Sequence, residues 1–283
     1  MKSSPSLIPL VASMEARLAE DIPVGDAWQY EPKWDGFRCL AYIQQGDVRL
    51  LSKSGKRLDR YFPEIADILT RSATSICVLD GELTVRIDGR LSFGALQARL
   101  HPAASRIARL SNETPARYAV FDCLQNGADT LIDAPLKQRR ATLSDLVSDL
   151  GDAGVFLSEA TMDVKRARRW LVESGGDTDR VIAKELDAPY QPGERAMVKV
   201  KRQRTADCVV GGFRHAANEE IVGSLLLGLY DDAGKLNHVG YTSALSVAER
   251  RALTPQLESP ASPADRQAVP AAGRRPDPAI GSR

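Results

Sequence analysis

Apolar residues alternate with polar ones or cluster over residues 38–43 and again over 48–52, on either side of "QQGD". Two short apolar-rich runs on either side of a turn predict a β-hairpin. The spacing then changes. Phe62, Ile65, Ile68 and Leu69 fall on one face of "YFPEIADIL" and predict a helix. "CVLDGELTV" (77–85) reads as a strand, "RIDGR" as an Asp-Gly turn, and "LSFGALQARL" as a helix capped by Ser92. "YAVFDCL" (118–124) is another strand, closed by Asn126 and Gly127. "PLKQRRATLSDLVSDL" is a helix opened by Pro135 and stopped by Gly151. "VFLSEA" is a short strand, and "DVKRARRWLVESGG" an amphipathic helix ending at Gly175. "RVIAKEL" and "MVKVKR" are strands around the loop "DAPYQPGERA".

From Thr205 the pattern is strand-rich, in "ADCVVGGFRH" and "GSLLLGLYDDAGKLNHVGYTS", with a turn at 232–234. "VAERRALTPQLES" offers one more helix. From Ser259 the chain is Pro, Ala, Arg and Ser with few bulky apolar residues, which predicts disorder because little burial offsets the ordering entropy. The partition expected is a mixed domain over 1–203, a small β-domain over 204–254 and a tail over 255–283. There is no internal repeat.

Composition adds limits. Of 283 residues 43% are hydrophobic and 27% charged, enough apolar material for a sizeable core. The net charge of +1 gives no strong overall field, so nucleic-acid binding has to come from local basic patches. Cys39, Cys77, Cys123 and Cys208 each sit in an apolar run and form no C-x-x-C pair, which suits buried, reduced thiols in the cytosol and disfavours a zinc site. No apolar run approaches a membrane span, and the signal-like N-terminus is short and broken by Pro9.

Charged residues interrupt several of the apolar runs: Lys33 and Asp35, Asp80 and Glu82, Asp122, Asp179 and Lys184, Lys199 and Lys201. Pairs at i and i+2 share one face of a strand. Two readings compete for each pair: the solvated face of an antiparallel strand, or the lining of a cleft. Their number favours the cleft, and its chemistry would suit a polyphosphate, a metal ion and a lysine of lowered pKa. Lys33, in "YEPKWDGFRCLAYI", is either a surface charge beside a turn or a nucleophile at the mouth of a pocket. Phe121 is open between core and base-stacking roles. "VKRARRW" (164–170) is open between a solvated helix face and a DNA-phosphate patch. His101, His215 and His238 are scattered and take no role.

The sequence resembles the ATP-dependent DNA ligases. "EPKWDGFR" resembles their K-x-D-G-x-R motif, "SKSG" the ribose-side motif, "LDGEL" the D-G-E strand, "AVFDCL" the adenine-stacking motif, "DRVIAK" the E/D-G-x-x-x-K motif and "MVKVKRQRTADCVV" the lysine-pair motif. Six motifs in order are a strong signal, although K-x-D-G alone is weak. The linking text resembles small bacterial ligases of the C type and the ligase modules of multifunctional end-joining ligases, over about residues 7 to 250.

The resemblance implies an α+β fold: a nucleotidyltransferase domain of antiparallel sheets with flanking helices, then a partial OB-fold. It implies that Lys33 attacks the α-phosphate of ATP and carries AMP to a nick in double-stranded DNA. Glu31 would lie on the adenine side, Arg38 and Lys53 would meet nucleotide or nick, Glu82 would hold the ribose hydroxyls, and Phe121 would stack on the base. Lys184 would bind the nucleotide, Lys199 and Lys201 would neutralise phosphate, and Asp179 with Glu82 would bind Mg²⁺ or Mn²⁺. The implied setting is a monomer in the bacterial cytosol and nucleoid, off the membrane, alongside end-joining or excision-repair proteins.

Three departures stand out. Lys53 replaces the family's usual arginine and loses its bidentate fork. Arg180 replaces a glycine, which would either crowd the metal site or point outward. Only the first strands of an OB-fold are legible, without the last basic motif. The alternative to an active ligase is therefore a truncated, impaired nucleotide- or DNA-binding remnant. An RNA ligase or capping-type enzyme shares the lysine chemistry but not the linking text.

Overall fold

The hairpin foreseen from the alternation turns at Gly46, whose φ of 84° suits glycine. It belongs to the first of two units, Met1–Gln203 and Arg204–Arg283. The computed structural model describes residues 6–44, 46–72, 76–150, 154–172, 180–202 and 206–259. In chain order the first unit contains β1 (Ala16–Ala19), β2 (Trp28–Pro32), β3 (Phe37–Gln44), β4 (Asp47–Ser52), α1 (Pro63–Ser72), β5 (Cys77–Ile87), β6 (Arg90–Leu91), α2 (Phe93–Gln97) and α3 (Ala104–Glu113). It continues with β7 (Ala116–Asn126), β8 (Asp129–Thr130), α4 (Leu136–Leu150), β9 (Val155–Leu157), α5 (Val164–Val172), β10 (Arg180–Glu185) and β11 (Met197–Lys201).

These strands form two sheets. One has the order β1-β11-β10-β2; the other runs β4-β3-β5-β7-β8, with β6 on β5 and β9 on β7. Pairing is antiparallel except for β1 with β11 and β7 with β9. The pleat sorts the larger sheet's residues. Cys39, Ala41 and Ile43 of β3 and Cys77, Leu79, Leu83 and Val85 of β5 pack with Ile65 and Leu69 of α1 and Leu143 of α4. Leu40, Tyr42 and Val78 take the opposite face and meet Met14, Tyr190 and Met197. The far face of the smaller sheet buries Tyr30, Val181, Ala183, Val198 and Val200 against Ala167 of α5. The layers are thus helices, large sheet, small sheet and α5. Full burial of one such apolar side chain contributes about 1.5–3 kcal/mol.

Buried ions fix the layers' registration. Arg139 of α4 and Asp122 of β7 are each 1% exposed and paired at 2.7 Å. Arg99, fully buried, donates to Glu64 at the start of α1, which also accepts from the Ala116 amide.

Several elements had no signal in the sequence pattern, β1, β2 and α3 among them. Strand β1 is four residues long. Strand β2 buries Gln29 and Glu31, so its polar residues point inward. Helix α3 buries Ile107 alone among its residues, too little for an apolar stripe. No described helix is long and apolar enough to cross a membrane.

The second unit has β12 (Val209–His215), β13 (Val222–Tyr230) and β14 (Leu236–Thr242) in one antiparallel sheet, then α6 (Val247–Glu258). Ser246 and Glu249 form a capping box at the start of α6. Thr254 accepts the Val222 amide at 3.0 Å and docks α6 on β13. The helix therefore runs past the boundary expected at 254, through Pro255. The tail beyond, 260–283, lies outside the described residues, and the described part of this unit is three strands and α6.

Candidate active site

Between Pro32 and Phe37 the chain leaves the small sheet and enters the large one, and Lys33 lies in this crossing. The crossing is held at three points. The Lys33 amide donates to the Arg180 carbonyl at 3.0 Å. The Trp34 indole donates to Ser158 Oγ at 2.9 Å. The Gly36 amide donates to Glu82 Oε1 at 3.1 Å. A Cβ on Gly36 would sit 2.1 Å from the Leu83 carbonyl oxygen, and one on Gly81 would sit 2.5 Å from the Tyr118 ring. Both motif glycines are thus needed where backbone and ring pass without room for a side chain.

A cavity of about 900 Å³ opens between the two sheets. Glu31, Lys184 and Lys199 line it from the small sheet, and Arg38, Glu82 and Phe121 from the large one, with Lys33 between them and Lys53 on the turn after β4. Register explains the grouping. Ile182 of β10 pairs with Glu31 on one side and Lys199 on the other, while Arg38 of β3 lies opposite Glu82 of β5.

At the inner end the charges are paired. Arg38 grips Asp80 through Nε and Nη2, both at 2.6 Å, and its guanidinium lies 4.4 Å from the Phe121 ring centre. The Tyr190 hydroxyl donates to Asp80 Oδ2 at 2.7 Å and accepts the Met14 amide at 2.8 Å. Burial disfavours the guanidinium charge, but Asp80 outweighs it and raises the Arg38 pKa. Lys184 pairs with Glu31 at 2.9 Å and lies 4.7 Å from the same ring, while Gln29 donates to Glu31 at 2.8 Å. Phe121 is 7% exposed, so it belongs to the core and faces the cavity at once.

Lys33 Nζ donates to the Trp34 carbonyl at 3.1 Å. Burial lowers its pKa, with help from the charges of Arg180 and Lys199 and opposition from Glu82 and Asp35. Burial pushes Glu82 up to about 7, against the pull of Arg38, Lys33 and the Gly36 amide. At the rim, Lys53 pairs with Glu15 at 2.8 Å and Arg57 with Asp59 at 2.7 Å.

Lys201 shares the face of Lys199 but is exposed, past the cavity wall. Asp179 lies outside the described residues. Among the described residues no group of three or more His, Cys, Asp or Glu side chains could hold a metal ion by itself. Helix α5 turns Lys165, Arg166, Arg168 and Arg169 to solvent, with Arg166 paired to Glu159. No local pattern marks Glu15, Tyr190, Trp34 or Ser158 as site residues. Asp80 was visible, as the partner of Glu82 on one strand face, but without its hold on Arg38.

Comparison with known proteins follows the same residues. A family model described as "ATP dependent DNA ligase domain" matches residues 9–201. The chain is 46% identical over 255 residues to DNA ligase C2 of Mycolicibacterium smegmatis, covering 89% of this chain and 71% of that protein. It is 42% identical to DNA ligase C of Mycobacterium tuberculosis, with coverage of 89% and 71%. The crystal structure of the ligase domain of M. tuberculosis LigD is similar with a TM-score of 0.59, at 29% identity over 87% of this chain and 77% of that one. A mycobacterial DNA ligase D complexed with ATP and MES gives a TM-score of 0.57 at the same identity and coverage.

Proposed function

The chain belongs to the ATP-dependent DNA ligase family, and from that premise we propose that it seals nicks in double-stranded DNA, with Lys33 as the residue that carries AMP. The observation that carries this reading is the placement of Lys33 on the crossing between two sheets, at a cavity lined by cations and by Phe121. An ammonium has no lone pair, so the nucleophile must first lose a proton. Burial and the charges of Arg180 and Lys199 make that loss easier.

In this reading the Lys33 amine attacks the α-phosphorus of ATP. The bond to the β-phosphate oxygen breaks and pyrophosphate leaves. The 5′-phosphate of the nick then takes AMP, and the nitrogen–phosphorus bond breaks. Attack by the 3′-hydroxyl on the activated 5′-phosphate closes the strand and releases AMP. Each step is in-line phosphoryl transfer, where positioning and charge neutralisation do most of the catalysis. Phe121 is the platform for the base, held in place by Arg38 and Lys184. Lys199 faces the phosphates, and Glu82 the ribose or a metal.

Mg²⁺ in phosphoryl transfer commonly uses one or two carboxylates together with substrate phosphates. Glu82 on the cavity wall fits that donor set, and Asp179 is the second candidate. When bound, the ion would neutralise phosphate charge. A cytosolic setting at the nucleoid, and work beside end-joining or excision-repair proteins, complete the proposal.

The test is incubation with radiolabelled ATP and Mg²⁺, then a denaturing gel and a nicked-duplex assay. Wild type should acquire acid-labile label and seal the nick. Lys33→Ala should do neither while unfolding at an unchanged temperature. Labelling of Lys33→Ala on the wild-type scale would assign the nucleophile elsewhere.

A further inference from the structure

Glu15 has no part in the reading above, yet its carboxylate lines the cavity and holds Lys53 at 2.8 Å. Its main chain is fixed: the Glu15 amide donates to Glu194 at 2.8 Å, and its carbonyl accepts from Met197 at 3.1 Å. Lys53 stands on an equally fixed turn, closed by the Ser52 amide on the Lys56 carbonyl at 2.9 Å and by the Lys56 amide on Ser52 Oγ at 3.1 Å. The ion pair thus spans the cavity mouth, from the approach to β1 in one sheet to the end of β4 in the other. Both ends are anchored and the two side chains alone can swing.

The pair is also easily traded. Lys53 is 60% exposed and Glu15 33%, and pairs in that setting are worth little against water. Arg38, Lys184 and Arg57, which line the same cavity, are tied to Asp80, Glu31 and Asp59 by closer or more buried contacts. A terminal phosphate carries more charge than a carboxylate and offers three acceptor oxygens, so it outcompetes Glu15 for an ammonium.

We propose that Glu15 is the resting counter-ion of Lys53, displaced when the terminal 5′-phosphate of a nicked strand enters the rim. The inference rests on the ligase reading. Glu15 would then act as a selectivity residue: it screens Lys53 from weak anions and yields to the one the reaction needs. The Lys53 hydrogen bond also keeps the Glu15 pKa below its usual range, so the carboxylate is charged at neutral pH.

The test measures binding, without ATP, of nicked duplexes carrying either a 5′-phosphate or a 5′-hydroxyl. It uses wild type, Glu15→Gln, Lys53→Met and the double variant. Glu15→Gln should bind the 5′-phosphate nick roughly three- to tenfold tighter, as loss of one exposed pair and one repulsion allows. Its affinity for the 5′-hydroxyl nick, and for ATP measured separately, should not change. The gain should vanish in the Lys53→Met background. The salt slope for the 5′-phosphate nick should steepen by up to about one, because wild-type Glu15 recaptures a cation when it lets go. No gain, an equal gain on both nicks, a gain on ATP instead, or a gain that survives Lys53→Met would each overturn the proposal. Wild-type sealing is the control: sealing without the gain refutes this inference alone, whereas no sealing refutes the ligase reading and the inference with it.

Discussion

At the inner end of the cavity, Arg38 and Lys184 meet carboxylates that are 0% and 3% exposed; at the rim, Lys53 and Arg57 meet carboxylates that are 33% and 23% exposed. The four pairs are alike in chemistry and distance. They differ in what water can do for a partner left alone. A stranded ion at the rim is rehydrated, so its pair can open and close. A stranded carboxylate at the inner end is not, so its pair is a permanent part of the frame. The frame seats Phe121, over which both inner cations lie. The two regions therefore differ in kind: fixed charge around Phe121 at the inner end, exchangeable charge at the rim.

The comparison breaks most directly at Asp80. Asp80→Ala leaves Arg38 without its partner and Tyr190 without an acceptor. Breaking a buried pair in this way should destabilise the unit by about 3–5 kcal/mol, read by denaturant unfolding. A loss under about 1 kcal/mol would place this pair in the same class as those at the rim.

A smaller effect is expected from pH. Glu82 is raised from 4.5 to about 7 by burial, so the folded state holds its proton more tightly than the unfolded chain. Its contribution to stability is fully present below the unfolded pKa and is lost as pH rises from about 4.5 through 7. Without nucleotide or metal, Glu82→Gln should flatten the decline of stability over that window. An identical pH profile in wild type and variant would mean that Glu82 is hydrated like a rim residue.

The smallest effects belong to the rim. Lys53→Met and Arg57→Ala should each change folding stability by less than about 1 kcal/mol. A loss above about 2 kcal/mol in thermal or denaturant unfolding would erase the distinction between the two regions.

What was legible in the sequence and what was not follows the same line. Several motif residues lie within single strands, and their spacing shows which share a face: Asp80 with Glu82, and Lys199 with Lys201. The helix of Ile65 and Leu69 and the hairpin at Gly46 were legible for the same local reason. The partner of each cation was not. Arg38 with Asp80, Lys184 with Glu31 and Lys53 with Glu15 are brought together by strand order and sheet stacking, which no local period encodes. Strand β2 escaped notice because Gln29 and Glu31 are its inward residues, inverting the usual sign of the pattern. Lys201 shows the limit of face arguments: a correct face does not tell how far along the strand a cavity extends.

The crossing at Lys33 also governs how the chain tolerates changes in length. Strand β2 enters it with Glu31 in register with Ile182, and β3 leaves it with Arg38 in register with Glu82. One residue inserted between Pro32 and Phe37 has to be absorbed by bulging the pinned segment or by slipping β3. A one-residue slip would turn Arg38 toward the helices and Cys39 toward the cavity, because side chains alternate between faces. The tips at Gly46 and at Asp88–Gly89 carry no such double constraint. Length variation should therefore accumulate at those tips, while residues 33–36 keep a fixed count.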